Sequence, residues 1–229
     1  MTQYMEALKK RILNQNLFFL QKDEYNDLHK DFLTPLDIYI DCNLFQSEID
    51  KFHDSFQKWG NRYPNLPRFS VPLVNSNGRL DNVQDPSLGS LSHWNEDNPD
   101  NPLIENDFST PTSVMNIKSL QPLKIFETYL TRSNILKWYK DAEFKPHIDT
   151  QVPTPYLRLW GTTDPTTIEL SYFSGDSFNV VKNIEKGRLY LIDTSIVHIA
   201  KATGFNYQFF ISVNSEAWKL IKTHLVAAK

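Results

Sequence analysis

The stretch FKPHIDTQ, Phe144 to Gln151, sets a histidine and an aspartate two residues apart directly after a proline. In an extended chain residues i and i+2 point to the same side, so His147 and Asp149 can offer an imidazole and a carboxylate to one metal ion. The triplet alone is weak evidence. The chain has six His and 17 Asp, and a second His-x-Asp, His29-Lys30-Asp31, lies in a charged N-terminal segment where a solvated surface role is expected. His147 differs in its surroundings: it follows a strand-like run, and Pro146 biases the residue before it toward extended geometry.

A second imidazole would complete the two-His-one-carboxylate triad that suits non-haem Fe(II) and leaves coordination positions open. That ligand should lie far along the chain, on a strand returning beside the first. His198, 49 residues after Asp149 in GRLYLIDTSIVHIAKATG, meets the requirement. His53 and His93 precede the β-rich region, and His224 falls in an expected C-terminal helix.

Positioning these groups requires a β-rich frame. From about residue 122 the segments KIFETYL, NILKWYK, PYLRLWGTT, TIELSYF, SFNVVKN, GRLYLIDT, HIAKATG and YQFFISVN read as short strands separated by Gly, Pro, Asn and Asp turns. So many short strands in one region suit a double-sheet jelly roll or barrel. Upstream, residues 2 to 20 read as a helix with Met5, Leu8, Ile12 and Leu13 on one face. PLDIYIDCNLF alternates Leu36, Ile38 and Ile40 as a strand would. SEIDKFHDSFQKWGNRY reads as a helix capped by Ser47 with Ile49, Phe52 and Phe56 on one face. PRFSVPLVNSNG reads as a strand running to Val74, with an Asn77-Gly78 turn after it. Residues 82 to 112, rich in Asn, Asp, Pro and Ser without a sustained period, read as a long polar loop, either a surface excursion or a lid over a site. The expected plan is one domain over 1–229: α/β decoration over 1–81, the loop, a β core over 113–214 and a C-terminal helix over 215–229.

Composition narrows the function classes. The 229 residues are 40% hydrophobic, enough for a substantial core, and the net charge of −3 comes without a basic stripe, so no nucleic-acid partner is expected. Cys42 is the only cysteine, which excludes an intramolecular disulfide and a Cys-rich zinc site and fits a reducing, cytoplasmic setting. No stretch reaches the roughly 18 apolar residues that would span a bilayer, so no membrane partner is expected. Nothing in the sequence points to an oligomeric state.

RSNILKWYKDAEFKPHIDT, LRLWGTT and GRLYLIDTSIVHIAKATG, taken in order, resemble the aspartyl/asparaginyl β-hydroxylase-type branch of the Fe(II)/2-oxoglutarate-dependent oxygenases, a branch that includes small proline hydroxylases. The resemblance spans roughly residues 130 to 214. It implies a mainly β fold, a double-stranded β-helix of the cupin-like jelly-roll kind, with Fe(II) held by His147, Asp149 and His198. It also implies 2-oxoglutarate chelating the metal through its 2-oxo group and C1 carboxylate, O2 as co-reactant, and hydroxylation of an amino acid or polypeptide side chain as 2-oxoglutarate is decarboxylated to succinate.

Two positions depart from that pattern. The family commonly has an arginine about ten residues after the distal histidine to grip the far carboxylate of 2-oxoglutarate; here the position is Gln208. A histidine of the family's Arg-Leu-His element is Trp160 here. Gln208 can donate a hydrogen bond but not the charged bidentate clamp of an arginine. Arg158, which matches the arginine of that element, is therefore expected to anchor the cosubstrate with help from Gln208, and Trp160 to line the same site. Arg132 is a candidate for a carboxylate of the cosubstrate or of an amino-acid substrate. Arg68 and the 82–112 loop are expected in the wall for a small-molecule or peptide substrate. Asp193 is expected to order the turn into His198, and Trp138 and Tyr139 to be core or cavity wall. Rival readings are a cupin-type metal enzyme that does not use 2-oxoglutarate, and a non-catalytic binding module on the same barrel.

Overall fold

This computed structural model describes residues 6, 10, 12–15, 17–59, 65–81 and 85–226. The strands are, in chain order, β1 (Leu33–Tyr39), β2 (Gln57–Lys58), β3 (Arg68–Pro72), β4 (Val74–Asn75), β5 (Thr110–Pro111), β6 (Asn134–Trp138) and β7 (Glu143–His147), followed by β8 (Tyr156–Thr162), β9 (Ile168–Ser174), β10 (Ser177–Val180), β11 (Arg188–Ile192), β12 (His198–Ala202) and β13 (Asn206–Asn214). Among the described residues they form a seven-stranded sheet ordered β1-β11-β8-β13-β6-β3-β2, a four-stranded sheet ordered β10-β9-β12-β7, and the small β4-β5 pair. Each pairing is antiparallel, as in β13 with β8 and β12 with β7. The fold is a jelly-roll double-stranded β-helix.

Period-two alternation along the large sheet divides its side chains between two cores. Leu157 and Leu159 of β8 and Phe209, Ile211 and Val213 of β13 face a first core, covered by Phe45, Leu120 and Phe126 from outside the sheet. Trp160, Leu136, Trp138 and Tyr190 face the other way, toward Leu170 and Ala200 of the small sheet. The even-numbered residues of β8 and β13 therefore point between the sheets, and that is where the site lies. Gly187 enters β11 at φ +75°, and a Cβ there would meet the Ile40 carbonyl oxygen at 2.3 Å. No other residue fits that approach of β11 to the end of β1.

Several expectations are corrected. KIFETYL is not a strand but the second half of a 3₁₀ run, Lys118–Tyr129. Its buried residues Leu120, Leu123 and Phe126 recur every three positions, the period of a 3₁₀ helix and not of a strand. The helix expected from Ser47 begins earlier, at Cys42, because Asp41 accepts from the backbone N–H groups of Asn43 and Leu44; it gives way to a 3₁₀ turn over Asp50–Ser55. The 82–112 segment holds a helix, Leu91–Asp97, and a 3₁₀ turn, Glu105–Asp107, and it buries Ile104, Glu105 and Phe108. Tyr139 is exposed rather than in the core, whereas Trp138 is fully buried. His29 is not a solvated surface residue; it is half-buried and stacked on Tyr25 with ring centroids 3.9 Å apart. The C-terminal helix is short, Trp218–Thr223. Of the helix expected over residues 2–20, positions 6, 10 and 12–14 are helical, 17–20 are not, and nine positions lie outside the described residues. No described helix is long and apolar enough to cross a membrane.

Candidate metal centre

The β7–β12 ladder pairs His147 directly with His198. Their ring centroids are 4.3 Å apart. Asp149 sits just past the end of β7, with its Oδ1 3.5 Å from His147 Nε2 and its Oδ2 3.8 Å from His198 Nε2. One donor atom from each of the three lies within 4.8 Å of the others. Two ligands on opposite sides of one ion, at bond lengths near 2.1 Å, are about 4.2 Å apart, so small side-chain rotations bring this set onto a common centre.

The tautomers suit ligation. His147 Nδ1 donates to the Lys145 carbonyl at 2.6 Å and His198 Nδ1 to the Ile196 carbonyl at 2.9 Å. A carbonyl only accepts, so each ring carries a proton on Nδ1 and turns its Nε2 toward Asp149. Burial pushes the His198 pKa below its ordinary value, and neighbouring His147 pushes it the same way, which keeps the ring neutral.

The turn before β12 fixes Asp149. The Asp149 backbone N–H donates to the Thr194 carbonyl at 3.0 Å, and the Thr150 and Thr194 hydroxyls are 2.6 Å apart. Asp193 holds that turn: its Oδ1 accepts from the Ser195 N–H and hydroxyl and from the Tyr25 hydroxyl. Its expected role in ordering the turn matches these bonds. Burial and the Asp193 carboxylate both push the Tyr25 pKa upward, so its proton stays in place.

A cavity of about 550 Å³ opens between the sheets beside the triad. Arg68, Arg132, Arg158, Trp160 and Gln208 line it along with the three donors, so every site residue expected from the sequence borders one space. Their partners differ from those expected. Arg158 is not an idle cation: its Nη2 donates to Glu105 Oε1 at 3.0 Å, and its Nη1 to Glu105 Oε2 at 3.3 Å and to the Ser212 hydroxyl. Arg132 Nε donates to the same Glu105 Oε1 at 3.1 Å. Arg68 Nη1 donates to the Glu143 carbonyl at 2.7 Å, and its guanidinium lies 4.6 Å from the Phe144 ring centroid. Glu105, from the 82–112 segment, was missed in the sequence, where nothing in its neighbourhood marks it out. Burial pushes its carboxyl pKa up, but Arg132 and Arg158 more than offset this and hold it below the ordinary value.

Gln208 is oriented by Trp160. The indole Nε1 only donates, so the atom it meets at 3.0 Å is Gln208 Oε1, and among the described residues the amide nitrogen has no partner. Gln208 is 1% exposed. Arg158 Nε is likewise buried and has no partner among the described residues. Two orphaned donors at the cavity wall fit a ligand that brings acceptor oxygens.

No protein-family model matches the chain, and no curated protein matches it in sequence. Some solved structures are similar to parts of the chain. HygX from Streptomyces hygroscopicus, solved with nickel, 2-oxoglutarate and hygromycin B bound, is 10% identical, with 86% of this chain and 88% of that one aligned at a TM-score of 0.44. A Pseudomonas putida prolyl-4-hydroxylase is 10% identical over 82% of this chain and 95% of its own, at 0.43. The cupin domain of Schizosaccharomyces pombe Cnp3 is 7% identical at 0.29, and this chain spans 65% of its length, just under two thirds.

Proposed function

We propose that the chain is an Fe(II)- and 2-oxoglutarate-dependent oxygenase that hydroxylates an amino acid or a polypeptide side chain. The observation that carries this reading is the His147–Asp149–His198 cluster, with both Nε2 atoms turned toward the Asp149 carboxylate and a cavity beside it. Two imidazoles and one carboxylate leave three positions of an octahedral ion open, as non-haem Fe(II) chemistry requires. Bound there, the metal and the 2-oxo acid would supply the oxidising chemistry that activates O2 and cleaves an inert C–H bond.

The protein's own residues bind, orient and exclude water. His147 and His198 would ligate through Nε2 while their Nδ1–H bonds to backbone carbonyls fix ring orientation. Asp149 would supply the anionic ligand, held at its backbone by Thr194. Gln208, its amide set by Trp160, would donate to an oxygen of the 2-oxo acid, and Arg158 Nε is a second donor toward it. Leu136, Phe144, Leu170 and Phe210 give the cavity an apolar wall that keeps water from the reacting centre. Arg68 and the Gly89–His93 segment border the same space and would contact the substrate.

Turnover tests the reading. With Fe(II), 2-oxoglutarate and a pool of amino acids and short peptides, succinate should form with consumption of O2, and His198→Ala should abolish it. A second reading, a metal enzyme of the cupin type that does not use 2-oxoglutarate, is favoured by Gln208 standing at the expected arginine position and by the pairing of Arg158 with Glu105. Metal retained by a protein that binds no 2-oxoglutarate would support that one instead. A protein that retained neither would fit a non-catalytic binding module.

A further inference from the structure

Three charged side chains meet at the wall of the cavity. Glu105 is 7% exposed, Arg132 8% and Arg158 5%. Glu105 Oε1 is shared by both guanidiniums, and among the described residues no other carboxylate lies within ion-pair distance of either. Two positive charges against one negative leave one positive charge in a place screened from water. Such a charge is costly unless something neutralises it. The remaining protein partners are neutral: the Gly89 carbonyl for Arg132 and the Ser212 hydroxyl for Arg158. Arg158 Nε, buried without a partner among the described residues, is a donor still unfilled. Arg68, also buried on the cavity wall, is directed instead to the Glu143 carbonyl and the Phe144 ring, and Lys145 and Asp149 are exposed.

We propose that Glu105 is an internal counter-ion that limits the Arg132–Arg158 pair to a single ligand carboxylate. Without Glu105 the pair would present two positive charges and select dianions. With it, one anionic group completes the cluster. Nothing in the sequence pattern around Glu105 announces this role; it follows from the convergence of residues 27 and 53 positions away on one carboxylate. The inference deepens the function proposed above and rests on the cavity being a ligand site, but not on the metal. The carboxylate can belong to the far end of the 2-oxo acid or to the substrate.

The test uses the full chain without metal, titrated calorimetrically with butyrate and with glutarate. Both should bind saturably and with similar affinity, because only one charge is left to neutralise. In Glu105→Gln the cluster gains a charge, and glutarate should bind at least about tenfold more tightly than to the wild type, as expected for a close, desolvated charge pair. Arg158→Met should abolish binding of both. Absence of saturable butyrate binding to the wild type would overturn the subsite. An unchanged glutarate affinity in folded Glu105→Gln would overturn the counter-ion role; if that variant does not fold, a wild-type preference of tenfold or more for glutarate over butyrate overturns it instead. With Zn(II) loaded, 2-oxoglutarate and 2-oxopentanoate identify the source of the carboxylate. A tenfold preference for 2-oxoglutarate that Arg158→Met removes assigns it to the 2-oxo acid. Equal binding of the two, with butyrate still taken up beside 2-oxopentanoate, assigns it to the substrate. A protein that binds butyrate but no metal would leave this inference standing and sink the oxygenase reading.

Discussion

His147 and His198 are direct partners across the β7–β12 ladder, and each turns its Nδ1 to the carbonyl two residues before it, Lys145 and Ile196 respectively. The same local hydrogen bond, made twice on neighbouring strands, leaves two Nε2 atoms facing one carboxylate. This arrangement is set before any ion binds, and it ties the candidate site to the backbone instead of to mobile side chains.

The turn that carries this pattern into β12 depends on Asp193. Its carboxylate receives Ser195 and Tyr25, and the same turn offers Thr194 to Asp149 and Ile196 to His198. Asp193→Ala should weaken divalent-metal affinity by about tenfold or more, the usual cost of losing an outer support of a metal ligand, while the protein stays folded. Metal titration followed by calorimetry reads this directly. A variant that binds metal as the wild type does would show that the turn holds without Asp193.

Removing Glu105 outright is a different perturbation from neutralising it. Glu105→Ala strands two buried guanidiniums without their shared partner and opens a void. The expected loss is about 3–5 kcal/mol of unfolding free energy, read from urea denaturation. A loss below about 1 kcal/mol, a typical surface value, would mean that water reaches both arginines.

In the proposed function Gln208 would donate to the 2-oxo acid from the position where an arginine was expected. Gln208→Leu removes the orphaned amide donor and leaves the Trp160 N–H unpaired. Affinity for 2-oxoglutarate should fall by roughly tenfold or more, the worth of one hydrogen bond to a charged acceptor. Equal affinity in the variant would exclude Gln208 from the cosubstrate site.

Acid sensitivity should come partly from His29. Burial pushes its pKa below the ordinary histidine value, with opposing contributions from Tyr25, Asp193 and Ile192. The unfolded chain therefore takes up a proton that the folded ring resists. Stability is complete above about pH 6.5 and falls as pH drops below it. His29→Phe keeps a ring against Tyr25 and should flatten that slope by up to about 1.4 kcal/mol per pH unit. An unaltered slope between pH 7 and 5 would place the acid sensitivity elsewhere, His198 being the other buried imidazole shifted downward.

What could be read from the sequence divides along physical lines. His147, Asp149 and His198 were legible because ligand chemistry restricts residue type and strand geometry restricts spacing. Strands β6 and β8 to β13 were legible because alternation separates Leu157 and Leu159 from Arg158 and Trp160 within four residues. Glu105 was not, since its partners Arg132 and Arg158 lie on distant strands and its own segment has no period to read. The 3₁₀ run at Lys118–Tyr129 was misread because KIFETYL has strand-like composition; the three-residue recurrence of Leu120, Leu123 and Phe126 was the signal available. The contribution of β1 and β3 to the large sheet was hidden for the same reason as Glu105, because β1 pairs with β11 and β3 with β6, far along the chain.

The most direct test of the metal centre is anaerobic titration of the metal-free protein with Fe(II) and then 2-oxoglutarate, followed by visible absorption. If the His147–Asp149–His198 cluster holds the iron and leaves adjacent positions open, a charge-transfer band should develop with 2-oxoglutarate, saturate at one equivalent, and be absent from His198→Ala. Folded wild-type protein that binds Fe(II) but gives no such band, or that binds no Fe(II) at all, would contradict it.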